Sequence, residues 1–172
     1  MNLSSARWRS LFLFGVGLSL GAAFCMKWME NDLRLDGEKF TILGLELLYK
    51  QEKLADVLSR LDSHVQTILR YHLFFDFAFM AGVYPAITSL CMIATEKLAS
   101  QRLKKIIFVL AWLQLLAWGF DIIENYYLLS WIHEPQIGNE FGWYHFIVGS
   151  KWIIALTGIL LSVPFVLRRK KS

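Results

Sequence analysis

The chain has 172 residues, of which 56% are hydrophobic and only 19% charged, with a formal net charge of +4. That balance is too apolar for an ordinary soluble domain of this length and points to an integral membrane domain. The basic residues cluster at the ends of apolar runs and are not interleaved with aromatics along a groove, so nucleic acid is excluded as a partner.

In chain order, Arg7 and Arg9 precede a first apolar run, predicted as a span over about 10–28. Within it Gly17 and Gly21 form a small-xxx-small pattern suited to close helix contact, although glycines are also common in membrane helices. The basic start followed by "LFLFGVGLSLGAAF", with Gly21 and Ala23, fits a cleavable leader over residues 1–23 as well. A lipoprotein site at Cys25 is disfavoured because bulky Phe24 precedes it. Cys25 and Cys91, the two cysteines, fall near opposite ends of their spans and are read as unpaired apolar fillers.

The stretch "NDLRLDGEKF" reads as a turn-rich linker around Gly37. Leu54, Leu58, Leu61, Val65 and Ile68 then recur at steps of four and three with charges between them, which predicts an amphipathic helix over about 45–70. No Pro or Gly interrupts 62–80, so this helix is expected to continue into a second span over about 72–95. That span carries His72 and Asp76 one turn apart, then Tyr84 followed by Pro85, which removes a backbone donor and favours a kink. Lys97, Arg102, Lys104 and Lys105 separate it from a third span over about 106–132. Pro135 and Gly138 mark a short loop before "FGWYHF", and a fourth span over about 146–167 contains Lys151 and ends on Arg168, Arg169, Lys170 and Lys171.

The predicted architecture is therefore an all-α bundle of four membrane-spanning helices, forming one domain over residues 1–172, with an extracytoplasmic amphipathic helix leading into the second span. The three basic groups share one side, so the positive-inside rule puts both termini in the cytoplasm of a cell inner membrane. The opposite side carries residues 27–70, with seven Lys or Arg against eight Asp or Glu, a near-balance that suits an exported loop. Trp131, Tyr126, Tyr127 and the aromatics of "FGWYHF" suit the membrane boundary.

The polar residues of the spans are the informative exceptions. Asp121, Glu124 and Asn125 lie on one face of the third helix. Counted along the helices, they, His72, Asp76 and Lys151 all fall roughly 6 to 15 Å below the outer boundary. A charge left facing lipid near mid-membrane costs about 2.5 to 3.5 kcal/mol, so these groups are expected to turn inward and meet. Asp76, Asp121 and Glu124 against Lys151 leave an excess of two negative charges. That excess calls for a retained proton, a protonated His72 or a bound cation. The candidate ligand- or proton-binding residues are thus Asp76, Tyr84, Asp121, Glu124, Asn125 and Lys151, with His72 and His145 secondary; no catalytic residue is assignable. The same polar groups also fit a purely structural interhelical clasp. Metal ligation by His72, Asp76, Asp121, Glu124 and His145 lacks a recurring ligand signature, so no metal is assigned. No cofactor motif, phosphate loop or nucleophile elbow is present.

The segments "LFFDFAFMAGVYP", "DIIENYYLL" and "GSKW", with the upstream "LGLELLYKQEKLADVL", resemble a group of small bacterial four-helix membrane proteins. In that group an Asp-Phe-x-Phe…Tyr helix pairs with one carrying Asp-x-x-Glu-Asn, and a Lys opens the last span. The resemblance covers most of the chain. It implies the architecture and directs attention to Asp76, Tyr84, Asp121, Glu124, Asn125 and Lys151, but implies no reaction. Three function classes follow: a site for a small ligand, proton or cation; a membrane enzyme acting on a lipid or isoprenoid; and an assembly or accessory subunit. Beyond the lipid bilayer, the expected partners are further copies of the chain or another membrane protein, since four spans are few for a transporter acting alone.

Overall fold

The computed structural model describes residues 5–167; the basic cluster at 168–171 lies outside them. The element order is α1 (Ser5–Met29), β1 (Arg34–Leu35), β2 (Glu38–Lys39), α2 (Ile42–Glu46), α3 (Gln51–Ser59), α4 (Ser63–Lys97), α5 (Gln101–His133) and α6 (Phe141–Leu167). The long helices α1, α4, α5 and α6 have 25, 35, 33 and 27 residues and hydropathies of 1.6 to 2.1. Each exceeds the roughly 20 residues needed to cross hydrocarbon, where only a helix satisfies its own backbone. The protein is a multi-pass helical membrane bundle. At 1.5 Å per residue α4 and α5 are each about 50 Å long, so they extend past the hydrocarbon and support a cap at one end.

That cap is more divided than its apolar spacing predicts. The expected helix over 45–70 is three pieces: α2, α3 and the first two turns of α4. Lys50 and Asp62 are both extended, and the Asp62 carboxylate accepts a hydrogen bond from the Val65 N–H at 2.8 Å. A short acidic side chain that satisfies an orphan backbone donor starts a new helix here, although no Pro or Gly breaks the run. The turn around Gly37 is likewise more ordered than a linker. Asp36 (φ 52°) and Gly37 (φ 85°) turn a two-residue hairpin in which Arg34 pairs with Lys39 and Leu35 with Glu38. Positive φ at both positions is what a tight hairpin requires, and Asp-Gly is a sequence that tolerates it. Arg60 ties the hairpin to α3 through Asp36 and, at 3.2 Å, Asp56.

Two apolar clusters sandwich the middle of the bundle. At the cap end Leu33, Leu54, Leu58, Leu69, Leu73 and Leu128 pack with Trp131 and Tyr144. At the other end Ile87, Cys91, Ala94, Leu98, Ile107 and Ala111 form a separate cluster. Helix α4 is central, packing on α1, α5 and α6.

The α1–α4 contact corrects the expected glycine motif. A Cβ on Gly17 or Gly21 would meet nothing within 4 Å. One on Gly15 would instead lie 2.5 Å from the Gly82 carbonyl oxygen, and one on Gly82 2.6 Å from that of Gly15. The small-xxx-small face is Gly15 and Ser19, with Ala22 beyond, all buried. Gly15 and Ser19 have the same four-residue spacing as Gly17 and Gly21, and contact with Gly82 on the partner helix selects their face. Helix α4 runs unbroken through Pro85.

Candidate functional site

Between the two apolar clusters lies a polar layer. On α5, Asp121, Glu124, Asn125 and Leu128 are buried along one face while Ile122, Ile123 and Tyr126 are exposed, as the spacing predicts. From α6, Lys151 is 5% exposed and places its ammonium 2.5 Å from Asp121 Oδ1 and 2.6 Å from Glu124 Oε2. From α4, the Tyr84 hydroxyl donates to Asp121 Oδ2 at 2.8 Å. Asp121 therefore has a cation on one oxygen and a neutral donor on the other. One turn further along α5, Asn125 Nδ2 donates to Asp76 Oδ2 at 2.7 Å. The six principal candidates thus come together from three helices.

A residue the sequence reading passed over joins them. Glu46, the last residue of α2, is 7% exposed and stands 3.6 Å from the Lys151 ammonium. Its carboxyl thus shares that ammonium with Glu124. The signal was a lone acid among Leu43, Leu45, Leu47 and Leu48, which an amphipathic pattern discounts as one charge on a solvated face. Burial pushes the Glu46 carboxyl above its ordinary value; Lys151 opposes this and Asp121 reinforces it.

The two histidines part company. His72 is 5% exposed and lines the same cavity as Asp76, and neither ring nitrogen has a hydrogen-bond partner among the described residues. His145 lines a different cavity, with Glu46, and is stacked on Tyr49 with ring centroids 5.0 Å apart and edge-on to Phe141 at 4.4 Å. Tyr144, expected at the membrane boundary, is wholly buried with its hydroxyl unpartnered among the described residues. Among those residues no three His, Cys, Asp or Glu side chains are arranged to hold a metal ion.

The layer borders a cavity of about 390 Å³, whose polar wall includes Glu46, His72, Asp76, Tyr84, Asp121 and Lys151. Four carboxyls face one ammonium, so full ionisation would leave an excess of three negative charges, one more than the sequence reading counts. Such an excess is costly in a low-dielectric interior. The arrangement is chemically equipped to hold a proton between carboxyls or to receive a cation. Comparison with known protein families, with curated proteins and with solved structures finds no match to this chain.

Proposed function

We propose that this is a bacterial inner-membrane protein, with both termini in the cytoplasm and the α2–α3 cap outside, whose buried polar layer binds a small ligand, a proton or a cation from the outer side. The observation that carries this reading is the surplus of carboxyls beside a cavity. Lys151 with Asp121 and Glu124 would suffice as a clasp. A clasp gives no reason to bury Glu46 beside them, or to leave His72 without a partner among the described residues against open volume. In this reading Asp121, Glu124 and Glu46 are the proton or cation groups, and Lys151 sets their charge balance. Tyr84 holds Asp121, and Asn125 orients Asp76. The likeness to small bacterial four-helix membrane proteins supports the same residues.

Infrared titration of the purified protein tests it. A protonated-carboxyl band is expected to persist at neutral pH in the unaltered chain, and to weaken in Glu46→Gln. Carboxyls that all titrate near pH ~4, as free side chains do, would overturn the reading.

A further inference from the structure

The cavity does not end at the polar layer. Away from Lys151 its wall is Val83, Ile87, Ala155 and Ile159 of α4 and α6. Val83, Ile87 and Ile159 also line a second cavity of about 440 Å³, which lies between α1, α4 and α6 along Phe12, Val16 and Val166. The fifteen helical steps from Lys151 to Val166 correspond to about 22 Å along α6. A polar chamber thus adjoins, across Val83, Ile87 and Ile159, an apolar lane that runs with the helices, as lipid chains do.

The chamber's chemistry selects a head group. Its one ammonium is already engaged by Asp121 and Glu124. Among the described residues Asp76 has only a neutral partner, Asn125. His72, one turn before Asp76 on the same face, is more than nine-tenths buried and lines the cavity, with both nitrogens unpartnered among the described residues. Glu30 stands at the rim, paired with Lys27. A phosphate or carboxylate head would add to the negative excess, and a hydroxyl would leave it unchanged. A primary ammonium lowers it and brings three donors to these acceptors.

We infer that the cavity takes a membrane-borne primary amine with one long apolar chain, its ammonium at Asp76 and His72 and its chain in the lane between α1, α4 and α6. This rests on the binding reading above and names its ligand class. Because a chain moving from bilayer to lane leaves no water behind, recognition falls on the head.

The test is equilibrium binding of radiolabelled dodecylammonium to the full chain in phosphatidylcholine nanodiscs, at defined mole fraction in the lipid. Saturable binding is expected. It should weaken about tenfold or more in Asp76→Asn, which removes the charged acceptor. Ile159→Trp, which plugs the lane from a half-buried position, should weaken it similarly, and unlabelled dodecanol should fail to compete. Melting temperatures of both variants check that they are folded, and the dodecanol arm needs no variant. Equal competition by dodecanol overturns the cationic head. Competition by methylammonium as strong as by dodecylammonium, or full binding in Ile159→Trp, overturns the chain while leaving the small-cation reading intact. If no saturable binding is found, the inference fails; the neutral-pH infrared band then decides whether the underlying site fails with it.

Discussion

Lys151 is the residue on which the polar layer turns. Among the described residues its ammonium is the single cation paired with Asp121, Glu124 and Glu46, all of them buried. Removing one partner of a buried ion pair costs about 3 to 5 kcal/mol, because the remaining charges lose compensation yet stay desolvated. Lys151→Met is therefore expected to lower the melting temperature strongly at neutral pH. Acidification should restore part of the loss, because protonated carboxyls no longer need the cation; thermal unfolding in nanodiscs across pH reads both effects. Tyr84→Phe removes one donor from the Asp121 carboxylate, a change of about 1.5 to 3 kcal/mol. Its deficit should be smaller than that of Lys151→Met. Asp121, Glu124 and Asn125 were legible as one inward face because helical periodicity acts within a single segment. The partner of each was not, since nothing in the spacing says that Asn125 meets Asp76 while Tyr84 meets Asp121.

At the scale of elements, α2 matters more than its five residues suggest. It carries Glu46 down from the cap onto the Lys151 ammonium. The folded-state Glu46 pKa is raised by burial, above the 4.5 of an ordinary glutamate. In the window between those values the folded chain holds a proton that the unfolded chain has released, so stability falls as pH rises through it. Glu46→Gln should flatten this part of the melting-temperature profile, and an unchanged slope would place Glu46 outside the coupling. The α1–α4 seam gives a second contrast. Gly82→Val puts side-chain atoms into the Gly15 backbone and should loosen α1, whereas Gly17→Val faces open space and should leave the melting temperature unchanged. Helix existence and approximate length were readable from apolar runs. The division of the cap at Asp62 was not, because an N-cap competes with helix continuation by one hydrogen bond whose outcome depends on the packing of both flanking helices.

For the whole molecule, four apolar helices are each long enough to cross a bilayer. In the proposed orientation, exposed Ser59 in the cap faces outward and Ser100, between α4 and α5, faces the cytoplasm. In a background lacking the half-buried Cys25, Ser59→Cys should react with a membrane-impermeant maleimide on intact cells. Ser100→Cys should react only after permeabilisation, and the reverse pattern would invert the topology.

Composition and hydropathy by themselves determined that the chain is a helical bundle of four membrane-spanning segments, and helical periodicity marked the inward polar face of α5. Those properties are local: lipid compels each segment to satisfy its own backbone and to turn its charges away, whatever its neighbours do. Tertiary structure alone decided that Gly15 meets Gly82, that His145 stacks on Tyr49 while His72 lines a cavity with Asp76, and that Glu46 descends from the cap to become the fourth carboxyl. Each is a pairing between segments far apart in the chain, set by which faces can approach closely enough to exclude lipid, and no single segment records its partner.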